Sequence, residues 1–72
     1  MNASSLCILG CGNIGSAIAK GLEKSGQLST DNITLTRRKV QTLKKFKKTG
    51  FQITNNNLAA IKNSKIVIIT VG

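Results

Sequence analysis

The stretch Ser5-Leu6-Cys7-Ile8-Leu9-Gly10-Cys11-Gly12-Asn13-Ile14-Gly15-Ser16-Ala17-Ile18 decides how the rest of the chain is read. Its first half is a short apolar run that stops at Gly10, the pattern of a buried strand. From Asn13 the apolar period lengthens. Ile14, Ala17, Ile18, Gly21 and Leu22 fall on one face of a helix, and Gly26 is placed to end it. Between strand and helix lies Gly10-Cys11-Gly12-Asn13-Ile14-Gly15, a GxGxxG. Such a hexamer alone is a weak signal; a strand before it and an amphipathic helix after it give it physical meaning. Gly10 permits the tight turn, a side chain at Gly12 would block a pyrophosphate, and Gly15 lets the helix pack on the strand. The helix start then offers unpaired N–H groups and the positive end of its dipole to phosphate.

Downstream the same alternation repeats. Ser29 to Asn32 reads as a polar turn, and Ile33-Thr34-Leu35-Thr36 as a second strand. Val40, Leu43 and Phe46 mark a helical face, with Lys44, Lys45, Lys47 and Lys48 on its wet side and Gly50 as its stop. Phe51-Gln52-Ile53 fits a brief third strand. Asn57 is placed to cap a short helix that turns Leu58 and Ile61 inward. The unbroken run Ile66 to Val71 has the look of a central strand buried on both faces. The order β-α-β-α-β-α-β implies an α/β fold with right-handed crossovers. The expected parallel sheet runs 3-2-1-4, the first half of a doubly wound (Rossmann) fold. Residues 1–72 then form one N-terminal dinucleotide-binding unit, incomplete, with the second half of the fold expected beyond Gly72.

The end of the second strand sets the expected cofactor. An NAD-selective site carries Asp or Glu about 20 residues past the glycines to hold the ribose hydroxyls. That position falls near Thr36, where the chain reads Thr36-Arg37-Arg38-Lys39, and no carboxylate follows Asp31. A hydroxyl and up to three cations suit a 2′-phosphate, which Arg can bind in bidentate fashion. NADP(H) is therefore expected over NAD(H).

Composition excludes much else. The 72 residues hold 11 Lys plus Arg and 2 Asp plus Glu, with no His and no Pro, for a net charge of +9. Without His, and with Glu23 and Asp31 as the sole carboxylates, a Ser-His-Asp triad, a carboxylate-pair hydrolase and a His-rich metal site are ruled out within these residues. Catalytic and metal sites are accordingly expected to be absent, with redox chemistry left to a cofactor. A chain this short buries about 60% of its unfolded surface, so marginal stability is expected. No run approaches the length of a membrane helix, and the N-terminus lacks a signal-peptide pattern. Cys7 and Cys11 make neither a disulfide framework nor a zinc site, which suits a reducing cytoplasm. Cys7 reads as core; Cys11 reads as a space-filling residue, the rival reading being a redox-sensitive thiol at a helix start. Seven cations between Arg37 and Lys48 raise nucleic-acid binding as a rival, but Phe46 turns inward and no aromatic platform for bases is visible.

The segment Ile8 to Ile18, with its Gly-Cys-Gly-Asn core, resembles the N-terminal signature of pyrroline-5-carboxylate reductases. Lys20-Gly21, Ser25-Gly26 and the strand Ile66 to Val71 fit the same family. The resemblance spans nearly all 72 residues but only the N-terminal part of such an enzyme. It implies reduction of 1-pyrroline-5-carboxylate to proline with NADPH or NADH. By resemblance, Gly12, Asn13 and Ile14 contact the pyrophosphate, and Thr36, Arg37 and Arg38 meet the adenosine ribose and its phosphate. Asn57 lies near the adenosine side, and Thr70 and Val71 line the route to the nicotinamide. Substrate, catalytic and oligomer-building residues of that family lie in a C-terminal helical domain beyond this chain. The family continues the fourth strand with Lys-Pro after Val, whereas Gly72 stands here. Prephenate dehydrogenases, F420-dependent reductases and 3-hydroxyacid dehydrogenases share the nucleotide unit. A non-catalytic nucleotide-sensing module would use the same glycine turn, though often with an acid after the second strand.

Overall fold

The structure, a computed structural model, describes residues 5–70. Strands β1 (Leu6–Leu9), β2 (Ile33–Thr36), β3 (Gln52–Thr54) and β4 (Ile66–Ile69) alternate with helices α1 (Asn13–Ser25), α2 (Lys44–Lys48) and α3 (Asn57–Lys62). The four strands form one sheet in the order β3-β2-β1-β4, all neighbours parallel. Leu6 pairs with Ile33 on one side and Ile66 on the other, so β1 is central and its successor strands flank it. This is the expected half of a doubly wound fold.

Strand alternation divides the core between the two faces. Leu6, Ile8, Ile33 and Leu35 point to one face and meet Ala19 of α1 together with Leu43, Phe46 and Phe51. Phe46 and Phe51 pack edge to face, 5.4 Å between centroids. Cys7 points the other way, where α3 crosses β1 and β2 with Ala60 buried.

Four details depart from the sequence expectation. The inward face of α1 is Gly15, Ile18, Ala19 and Leu22, while Ile14, Ala17 and Gly21 are exposed. The smallest residues face the sheet because α1 lies so close: a Cβ at Gly15 would sit 3.2 Å from Ile8 Cγ2. The second helix begins as a 3₁₀ turn over Val40–Leu43 and becomes α-helical only at Lys44. Asn56, not Asn57, caps α3, its Oδ1 accepting from Ala59 N at 3.1 Å. That phase turns Ala60 inward and leaves Leu58 and Ile61 exposed. Finally, β4 is not buried on both faces: Ile66, Val67 and Ile69 are exposed, Ile69 to 71%.

Candidate functional site

Parallel strands put all their C-terminal ends on one edge of the sheet, and the glycine turn leaves β1 at the middle of that edge. Gly10 adopts φ +71°, a conformation that side chains disfavour. A Cβ there would also lie 3.0 Å from Thr70 O. The turn is clamped from both flanking strands. On the β2 side, Thr36 O accepts from Cys11 N at 2.7 Å and Thr36 Oγ1 accepts from Gly10 N at 3.2 Å. Beyond β4, the Thr70 hydroxyl lies 2.6 Å from Gly10 O and 3.0 Å from Leu9 O, donating into that pair, and Thr70 N donates to Leu9 O.

The clamp presents the start of α1. Gly12 occupies the N-cap position with no side chain to satisfy the first turn, and that turn holds no acid. The leading N–H groups of the helix are left for an outside acceptor. Gly12 differs from its neighbours in the motif. A Cβ built on it would meet nothing closer than Gly10 O at 3.9 Å. Packing within the protein therefore leaves room at Gly12 for a group lying against the turn. That open space beside free N–H groups fits a dinucleotide pyrophosphate.

Gly10, Gly12, Asn13, Ile14, Arg37 and Thr70 line one cleft of about 430 Å³. Sequence reasoning named all six, and the fold brings them together across 60 residues of chain. Others take different places. Gly15 is buried beneath the turn as the packing contact of α1. Thr36 is fully buried and its hydroxyl is engaged with Gly10, so it holds the turn instead of facing a ribose. Arg38 and Asn57 are exposed and do not line the cleft. Val71 lies outside the described residues. The clamping roles of Thr36 and Thr70 were not legible in sequence; hydroxyl residues at the ends of strands flanking a glycine turn are the signal that points to them.

Arg37 supplies the cleft's charge. Its backbone N donates to Thr54 O at 3.3 Å, tying the end of β2 to β3. Its guanidinium is near enough to Cys11 to pull on that thiol, as does the Ser16 hydroxyl. Burial outweighs both and pushes the Cys11 thiol above its ordinary value. Cys11 is buried in the core cluster, which fits the space-filling reading. A second groove of about 450 Å³ runs between α3 and the strand starts, and its charged lining residue is Asp31. An anion there repels phosphate, so the smaller cleft is the candidate site despite its lesser volume.

A parallel sheet whose first strand turns through GxGxxG into an uncapped helix start, with a cation at the end of the second strand, defines a dinucleotide-binding unit of the Rossmann class. The chain belongs to the family described as NADP oxidoreductase, coenzyme F420-dependent, whose model matches residues 5–72. It is 44% identical over 66 residues to pyrroline-5-carboxylate reductase 1 of Dictyostelium discoideum, covering 92% of this chain and 12% of that protein. Over 71 residues it is 42% identical to pyrroline-5-carboxylate reductase 2 of the same organism, covering 97% of this chain and 24% of that one. The chain thus spans a quarter or less of the curated relatives it matches. Among solved structures, a pyrroline-5-carboxylate reductase from Coxiella burnetii superposes with a TM-score of 0.86 at 31% identity, over 97% of this chain and 26% of that one. A variant imine reductase from Myxococcus stipitatus in complex with NAD+ superposes with a TM-score of 0.79 at 25% identity, over 96% and 23%.

Proposed function

We propose that residues 1–72 are the N-terminal NADP(H)-binding part of a pyrroline-5-carboxylate reductase, an enzyme of proline biosynthesis. The similar proteins named above are pyrroline-5-carboxylate and imine reductases, which supports a C=N bond as the electron acceptor. Bound NADPH would supply the hydride that converts 1-pyrroline-5-carboxylate to proline. These residues hold the cofactor. The N–H groups at the start of α1 receive its pyrophosphate, and Thr36 and Thr70 keep the turn in shape. Substrate-binding and oligomer-forming residues belong to a helical region outside this segment.

The observation that carries the cofactor choice is Arg37, which stands in the same cleft as Gly12 where an NAD-selective site has a carboxylate. NAD(H) remains a usable second cofactor, since the pyrophosphate contacts do not depend on the 2′-phosphate. We read the remaining cations as a solvated face and not as a nucleic-acid surface. Both Phe46 and Phe51 are buried and offer no face for base stacking. No described helix is long and apolar enough to cross a membrane, and the two free cysteines suit the reducing cytoplasm we propose for the chain.

The test compares NADPH and NADH affinities before and after Arg37→Ala with Arg38→Ala. Losing a charge-assisted contact to a phosphate should weaken NADPH binding by about tenfold or more and leave NADH nearly unchanged. An NADPH preference that survives the double substitution would sink the proposal.

A further inference from the structure

An exposed arginine on a loop samples many rotamers, and a phosphate contact must offset the entropy of freezing it. Arg37 is exposed, yet it is not free. Its Nη1 donates to Thr42 Oγ1 at 3.2 Å. Thr42 lies within the 3₁₀ turn Val40–Leu43, which directly follows the basic loop. The Thr42 hydroxyl proton is itself committed, because Oγ1 lies 2.7 Å from Lys39 O, which also accepts from Thr42 N at 3.0 Å. With its proton directed at a carbonyl, Oγ1 has lone pairs left and acts toward Arg37 purely as an acceptor. The guanidinium has five N–H donors and spends one on Thr42, which leaves a donor edge for a ligand. Main chain and side chain of Arg37 are therefore anchored separately, by Thr54 and by Thr42, while the residue lines the cleft with Gly12 and Asn13.

We propose that Thr42 is a positioning residue for cofactor specificity: it fixes the Arg37 guanidinium at the cleft and so sets the preference for a 2′-phosphorylated dinucleotide. The inference rests on the NADP(H) reading above. It adds a residue that does not line the cleft and lies outside both the glycine motif and the Thr36-Arg37-Arg38 segment. The side chain's role is directional. Serine keeps the acceptor and its link to Lys39 O; valine keeps the shape and removes both.

The experiment measures dissociation constants of NADPH and NADH for the 72-residue chain carrying Thr42→Val, Thr42→Ser, Arg37→Ala, and Arg37→Ala with Thr42→Val. Thermal melts of each variant run alongside. Losing one intramolecular hydrogen bond of ordinary net strength, which orients the guanidinium without touching the ligand, predicts that Thr42→Val weakens NADPH binding by about three- to tenfold. NADH binding should stay within about twofold of the parent, a smaller change than one such bond produces. Thr42→Ser should bind as the parent does, and Thr42→Val should add nothing once Arg37 is gone. Equal weakening of both cofactors would show a merely structural role and overturn the inference, as would additivity in the double variant. Loss of NADPH preference in Arg37→Ala, with none in Thr42→Val, defeats the Thr42 inference alone. Unchanged preference in both defeats the NADP(H) reading beneath it. Should Thr42→Val melt early, titrations with both cofactors below its own melting range still decide the question, because a selective loss of NADPH supports the inference and an equal loss of both overturns it.

Discussion

At the scale of single residues, the three motif glycines do different work, and substitution should separate them. Gly10→Ala puts a Cβ on a positive φ and 3.0 Å from Thr70 O, so about 1–3 kcal/mol of stability should be lost, with binding lost as a consequence. Gly15→Ala meets Ile8 Cγ2 and Thr70 Oγ1, both at 3.2 Å. Part of that crowding is offset by the better helix propensity of alanine, about 0.5–1 kcal/mol. Gly12→Ala meets nothing inside the protein closer than 3.9 Å. Its denaturant midpoint should match the parent while NADPH affinity falls by about tenfold or more, as a methyl group takes the space of a phosphate oxygen. Urea unfolding and cofactor titration of the three alanine variants check this ordering. A Gly12→Ala protein that binds as tightly as the parent would show that the cleft is not where the pyrophosphate lies.

At the scale of elements, α3 shows what a sequence can and cannot specify. Asn55, Asn56 and Asn57 are adjacent, and each has the chemistry to cap a helix. Which one does so depends on backbone dihedrals: Asn56 takes the extended conformation that lets Oδ1 reach Ala59 N, and Asn57 is already helical. Asn56→Ala should therefore cost about 1 kcal/mol, and Asn57→Ala about none, in chemical denaturation. The reverse ranking would shift the helix by one residue. The same physics explains the other departures. Composition and period marked β1, α1, β2 and β4 correctly as elements, because strand-helix alternation and the glycine turn are local signals. The inward face of α1 was misplaced by one position. Hydrophobicity points to Ile14 and Ala17, but the close approach of helix to sheet selects small residues, Gly15 and Ala19. The run Ile66 to Val71 reads as a strand buried on both faces, whereas among the described residues Ile66, Val67 and Ile69 are exposed. Among the described strands β4 pairs only with β1, so its outer backbone groups form an edge of the kind that proteins ordinarily cover. The site was legible where it depends on residue type at fixed spacing, as at Gly10, Gly12 and Arg37. Hydrogen bonds between distant segments, such as Thr70 to Gly10 and Gly10 to Thr36, leave no periodic trace.

At the scale of the whole molecule, a net charge of +9 on 72 residues acts on folding and on binding with opposite sign. Lys44 and Lys48 stand four apart on α2, while Lys44 with Lys47 and Lys45 with Lys48 stand three apart. Like charges at these spacings each oppose the helix by a few tenths of a kcal/mol in dilute salt. Lys45 also lies 5.5 Å over the Phe46 ring, a favourable contact that leaves its repulsion of Lys48 in place. Screening these pairs should stabilise the free protein. Raising NaCl from about 0.01 M to about 0.5 M shrinks the Debye length from about 30 Å to under 8 Å, below the reach of most surface pairs. A gain approaching 1 kcal/mol corresponds to a rise in Tm of about 4 °C or more for a domain of this size. The same screening weakens attraction between the cationic loop and the phosphates of NADPH, so affinity should fall as Tm climbs. NADH, with fewer phosphate charges, should lose less. Lys48→Gln removes two of the three repulsive pairs and should raise Tm at low salt while flattening its salt dependence. Its NADPH affinity should stay close to the parent's, because Lys48 does not line the cleft. Melting curves and titrations at matched NaCl concentrations test both halves. A Tm that falls with salt, or an NADPH affinity that rises with it, would mean that the charge on α2 and the charge at Arg37 do not act as the sequence and fold require.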